Sequence, residues 1–151
     1  MFRIVTKEDY PGWGYMTKGL TTIPEQWSQG LTHGGSLNHP MFGSIDAWFY
    51  RYLAGIQTDK HYPGYEKFFI RPSFPEIGLN KINAQIKTVK GNIRSSWIRT
   101  DNFIKMDVEI PVNTHATLEL PPHSANIFIN ASPGHIRTEL GSGKYEINFS
   151  L

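Results

Sequence analysis

Residues 81–110 limit the fold more than any other stretch of the chain. They read KINAQIKTVKGNIRSSWIRTDNFIKMDVEI. Ile82, Ala84 and Ile86 alternate with Asn83, Gln85 and Lys87; Ile104, Met106, Val108 and Ile110 alternate with Lys105, Asp107 and Glu109. A period of two sends apolar side chains to one strand face and polar ones to the other. Lys90-Gly91-Asn92 and Thr100-Asp101-Asn102 supply turn residues between these runs, so two hairpins are predicted. A sheet with one apolar face must be covered by a second layer.

The same texture continues on both sides. Runs rich in β-branched and aromatic residues predict strands over 66–71, 81–89, 92–99, 103–111, 116–120, 126–129, 136–139 and 144–149. Gly141-Ser142-Gly143 reads as a third hairpin loop. About eight strands at this spacing predict an antiparallel β-sandwich. Trp97 alternates onto one face of its run, and its place is the sandwich core.

Ahead of residue 57 the pattern is different. Pro11 and Gly19 frame a short helix, with Trp13 and Tyr15 inside it. Thr21 or Thr22 and Pro24 suit the start of a helical turn that carries Glu25 and Trp27. Residues 28–38 are a loop by composition. From Met41 the apolar positions 41, 42, 45, 48, 49, 52, 53 and 56 follow helical spacing. Asn38 or His39 caps this helix, Pro40 lies in its first turn and Gly55 ends it. Asp46 and Arg51 lie at the ends that complement the helix dipole. Two parts follow: helices over 1–60 and a sandwich over 61–151, with the boundary near 57–64.

Composition narrows the classes of function. With 39% hydrophobic residues in 151, the chain can bury a core. The formal charge of +2 comes from interspersed signs, unlike a clustered nucleic-acid surface. Cysteine is absent, which excludes disulfides and thiolate metal sites, and the six histidines are not at ligand spacing. No cofactor or metal is expected. No apolar run approaches the roughly 20 residues that span a bilayer, and the start MFRIVTKEDYPGWG does not read as a signal peptide. No membrane or nucleic-acid partner is expected, and the compartment is not legible. Asn130-Ala131-Ser132 and Asn148-Phe149-Ser150 match the glycosylation pattern by chance, the first being followed by proline.

The stretch 19–55 concentrates acid, imidazole and indole. Glu25 is either a helix-end acid favoured by the dipole or a general acid or base beside Trp27. His39 either satisfies the start of a helix or hydrogen-bonds a sugar hydroxyl. Glycoside hydrolysis needs two carboxylates flanking the scissile bond, and Asp46 has the bland alternative of a capping or solvated role.

The runs TTIPEQW, SLNHPMFGSIDAWFYRYLAGI, PGYEKFFIRP, KGNIRSSW and IPVNTHATLELP occur in this order. Together they resemble the C-terminal end of the bacterial α-L-rhamnosidases, glycoside hydrolase family 78. The resemblance implies the last helices of an (α/α)6 barrel followed by the sandwich. It also implies an inverting hydrolase in which Glu25 is the general base and His39 a sugar contact. Asn38 would assist in holding hydroxyls, and Trp27 or Trp13 would offer a stacking face. Pro24 stands where the family often has Trp, which alters one wall of the pocket. The family's general acid belongs to an earlier barrel motif, so the chain alone is expected to be inactive. The implied substrate is a rhamnosyl glycoside or oligosaccharide. Two rival readings are a non-catalytic carbohydrate-binding sandwich, with Phe68, Phe69, Trp97 and Phe103 as its aromatics, and a structural module. The apolar face of the helix from Met41 must fold against the sandwich or associate with a second copy.

Overall fold

The computed structural model describes residues 1–27, 35–76 and 78–151. The chain divides into two compact units, Met1–Ala47 and Trp48–Leu151. In the first, α1 (Phe2–Val5) and α2 (Trp13–Thr17) are short helices. The predicted helix between Pro11 and Gly19 is therefore present, and its Met16 is fully buried. Gly12 precedes it where a Cβ would lie 2.3 Å from the Lys7 carbonyl oxygen, so no side chain fits.

The predicted helical turn around Glu25 does not form. Residues 21–27 are bends and irregular chain, tied instead to a distant segment: Thr22 Oγ1 donates to the Leu37 carbonyl, Glu25 N to that of Ser36 (2.8 Å), and the Ile23 carbonyl accepts from His39 N (2.9 Å). A single helical turn fixes several dihedrals for few hydrogen bonds, and these long-range bonds supply better partners. The predicted loop 28–38 lies largely outside the described residues, as does His33.

The helix from Met41 is regular in neither pitch nor length. It runs as a 3₁₀ turn (Met41–Ser44), an α-helical turn (Ile45–Trp48) and a π-type stretch (Phe49–Leu53). The Ala54 N–H bonds to Phe49 O at 3.0 Å, five residues back, which marks the wider turn. Ile56 was expected on this helix but begins the first strand, because Gly55 turns the chain at φ +77°.

The second unit holds ten strands among the described residues. These are β1 (Ile56–Thr58), β2 (Lys67–Ile70), β3 (Lys81–Thr88), β4 (Gly91–Thr100), β5 (Phe103–Ile110), β6 (His115–Glu119), β7 (Ala125–Ile129), β8 (Ser132–Pro133), β9 (Arg137–Leu140) and β10 (Gly143–Ser150). One sheet has the order β1-β2-β6-β9, the other β3-β4-β5-β10-β7-β8. Pairing is antiparallel except between β2 and β6. All eight expected strands are present; β1 and β8 are the additions. The hairpins β3–β4 and β4–β5 turn at Val89-Lys90 and Asp101-Asn102. Gly141-Ser142-Gly143 is not a hairpin. It carries the chain from β9 in one sheet to β10 in the other, since turn residues report a change of direction and not the strand that follows.

The core lies between the sheets. Phe68 and Ile70 of β2, Ala116 and Leu118 of β6, Ile93 and Trp97 of β4, Ile104, Met106 and Val108 of β5, and Ile147 and Phe149 of β10 are all buried. Phe103 is exposed, and Phe69 is half-buried beneath the Arg71 guanidinium, 3.6 Å from its ring centre. Two polar side chains reach across this core. Ser95 Oγ donates to Ala54 O (2.6 Å) and Trp97 Nε1 to Leu53 O (2.9 Å). They satisfy carbonyls that the end of a helix leaves without partners. The end of the helix thus folds against the sandwich through Leu53 and Ala54, while Tyr50 and Tyr52 stay exposed.

On the outer face of the larger sheet, Lys105 Nζ meets Glu146 Oε2 at 2.7 Å. The hydrogen bond from Lys105 holds the Glu146 carboxyl below its usual range, with help from Asn148, and the same bond raises Lys105. A depressed carboxyl adds stability above its unfolded value and loses it as pH falls through the lower folded one. A raised lysine adds stability below its unfolded value and loses it as pH rises through the higher folded one. Glu146→Gln is therefore expected to flatten the dependence of melting temperature on pH on the acid side of 4.5. An unchanged acid slope in thermal melts would contradict this.

Candidate active site

The sequence-predicted residues all lie in the unit Met1–Ala47. This unit contains four carboxylates, Glu8, Asp9, Glu25 and Asp46. Three are exposed; Glu25 alone is half-buried. The bonds of residues 22–25 to 36–39 set its position. Glu25 Oε2 accepts the Ser36 N–H at 3.1 Å, so the same two residues are joined through main chain and side chain. No other bond to the carboxylate occurs among the described residues, so one oxygen is left to act as a base or acceptor.

The same ladder brings His39 onto the segment that carries Glu25. His39 is half-buried, and its Nδ1 accepts the Met41 N–H at 3.2 Å. In the neutral ring that assigns the proton to Nε2, which is then a donor. The cap role and a ligand role thus fall to different nitrogens of one ring. Asn38 is exposed; its backbone N–H and carbonyl are both engaged by Ser36 Oγ at 3.1 Å, leaving the side-chain amide open among the described residues.

Trp13 and Trp27 meet edge to face, with ring centres 4.7 Å apart and an angle of 86°. Phe42 completes the group, 4.9 Å from Trp27 and 5.8 Å from Trp13. Trp13 Nε1 is buried with no acceptor among the described residues. An indole donor withdrawn from water without a partner costs about 1–3 kcal/mol. Two contributors were not found in the sequence. Phe42 was read only as part of a helix face. The Ser36 N–H is a backbone group and has no side-chain signature.

Chemically, the unit offers one positioned carboxylate, an imidazole donor, an amide and indole surfaces. Asp46, the other carboxylate weighed from sequence, is exposed at the first turn of its helix.

Comparison with known proteins assigns the family. Residues 55–130, just over half of the chain, match the bacterial alpha-L-rhamnosidase C-terminal domain. Residues 1–53 match the bacterial alpha-L-rhamnosidase 6 hairpin glycosidase domain. An alpha-L-rhamnosidase of Formosa agariphila is 32% identical over 99% of this chain, which is 17% of that protein. Among solved structures, alpha-L-rhamnosidase from Dictyoglumus thermophilum superposes with a TM-score of 0.82 at 30% identity, over 99% of this chain and 18% of that one. The Streptomyces avermitilis enzyme, solved in complex with L-rhamnose, superposes with a TM-score of 0.79 at 25% identity, over 97% of this chain and 16% of that one. The chain therefore spans about a sixth of the length of these relatives. It belongs to the bacterial α-L-rhamnosidase family of glycoside hydrolases and represents the C-terminal portion of such enzymes.

Proposed function

We propose that this chain is the C-terminal part of an inverting α-L-rhamnosidase that hydrolyses terminal α-L-rhamnosyl linkages. Residues 1–60 are the last helices of its (α/α)6 barrel and 61–151 its terminal sandwich. Glu25 is the general base, and its unbonded oxygen removes a proton from the water that attacks the anomeric carbon. His39, through Nε2, and Asn38 hold sugar hydroxyls, while Trp27 and Trp13 form an aromatic wall. The general acid comes from a barrel segment outside this chain. Inversion separates acid and base by about 6.5–9.5 Å to admit the water.

The observation that carries this reading is the selective withdrawal of Glu25. Of the four carboxylates in its unit it alone is half-buried, and it is tied by backbone bonds to the segment of His39. The test uses an aryl α-L-rhamnoside. The chain alone is expected to give no turnover. In a polypeptide that joins it to the preceding barrel, Glu25→Gln is expected to lower kcat by about 10²–10⁴, with β-rhamnose as the first product of the unmutated protein. Turnover by the isolated chain at the joined protein's rate, or a Glu25→Gln variant of undiminished rate, would overturn it.

A further inference from the structure

The outer face of the larger sheet carries a groove that the reading above does not use. It lies on β4, β5 and β10, and the turn between β7 and β8 forms its wall. Its volume is about 440 Å³, within the roughly 300–1,000 Å³ of ligand pockets. Register places Arg94, Glu109 and Lys144 in one row across three strands, and Ser96, Asp107 and Glu146 in the next. The wall is fixed by Asn130, whose Oδ1 accepts the Glu146 N–H at 2.9 Å and whose own N–H bonds to Glu146 O at 2.8 Å.

Opposite charges directly across two strands attract each other modestly. Here they form no contact pair. Arg94 donates to Gln85 of β3 at 3.2 Å and not to Glu109, and Lys105 takes Glu146. Among the described residues the side chains of Asp107, Glu109 and Lys144 form neither a hydrogen bond nor a close ion pair, and Asp107 meets Lys105 only through longer-range attraction. The groove therefore presents two carboxylates whose oxygens accept no hydrogen bond, beside an ammonium and the spare donors of a guanidinium. Carboxylate oxygens accept from hydroxyls, and the cations donate to hydroxyl and ring oxygens. The charges of Arg94 and Lys144 balance those of Asp107 and Glu109. An anion would meet the carboxylates and a cation would meet Arg94 and Lys144, whereas a neutral polyol satisfies both sets.

We propose that this groove is a binding site for a neutral, polyhydroxylated ligand, one or two sugar units of a glycan. The claim does not rest on Glu25 or on the hydrolytic reading. The test is a titration of the whole chain followed by amide resonances. L-rhamnose and D-glucose are the neutral probes, and D-glucuronate and D-glucosamine the charged ones. Neutral sugars are expected to shift the amides of 94–96, 107–109 and 144–146 saturably, with a Kd on the order of 1 mM. The double variant Asp107→Asn/Glu109→Gln, isosteric changes at an exposed and a half-buried position, is expected to weaken this about tenfold, as loss of charge-assisted bonds would, without changing the melting temperature. Glu25→Gln is expected to leave the titration unchanged. Absence of saturation at these amides, an unweakened double variant, or tighter binding of a charged sugar would overturn the proposal.

Discussion

Trp97→Ala is expected to remove about 4 kcal/mol or more of folding stability, near the upper end of the range for a single core substitution. Trp97 is 1% exposed, the largest side chain buried in the sandwich. Its ring meets Phe74 at 5.0 Å, and Phe74 in turn meets Phe149 at 5.5 Å. Truncation leaves a cavity in this cluster. It also leaves Leu53 O, at the end of the helix, without its donor. Trp97→Phe separates the two effects. It keeps most of the ring and loses only the N–H, at a cost of about 1–3 kcal/mol for the unpaired carbonyl. Urea unfolding of the chain followed by circular dichroism measures both. A Trp97→Ala loss under about 2 kcal/mol would mean that the core collapses into the space and that packing is looser than these distances indicate.

Gly55→Ala is expected to cost about 3 kcal/mol or more, from two sources. Gly55 has φ +77°, a region costly for residues with a Cβ. A Cβ there would also lie 2.3 Å from Pro72 N and 2.4 Å from the Arg71 carbonyl carbon. These are backbone atoms and cannot rotate aside. The close approach is the junction at which Gly55 O accepts the Arg71 N–H at 2.9 Å, next to the β1–β2 pair. Gly64→Ala is the control. Gly64 has φ +70°, but its Cβ would meet only Val89 Cγ2 at 3.4 Å. It bears the conformational cost alone, about 1–2 kcal/mol. Equal losses in the two variants would show that the overlap at Gly55 is relieved by movement.

These two positions mark what a sequence conveys and what it conceals. Trp97 was assigned to the core by alternation, and the core is where it lies. Its bond to the helix end was not legible, because periodicity assigns a face and not a partner 44 residues away. Gly55 was legible as a helix stop, but not as a contact with Arg71 and Pro72. All eight strands with a clear pattern were found, whereas β1 and β8, of three and two residues, are too short to show a period. The π-type stretch at Phe49–Leu53 was hidden in ordinary helical spacing. In the candidate site, Glu25 and His39 are singled out through resemblance to a family. The turn expected to present Glu25 was not formed, because residues 36–39 outcompete local helix bonds.

The position of β10 has a consequence for biosynthesis. This strand lies in the interior of the larger sheet, between β5 and β7. Residues 143–150 are translated after every other strand of both sheets. Until they leave the ribosome, β5 and β7 have no common neighbour, and each exposes a row of unpaired backbone groups of the kind that recruits foreign strands. Hairpins β3–β4 and β4–β5 can form early, since their partners are adjacent in the chain. Joining the two halves of the sheet waits for β10. The nascent sandwich is thus open to aggregation in the interval before β10 is synthesised.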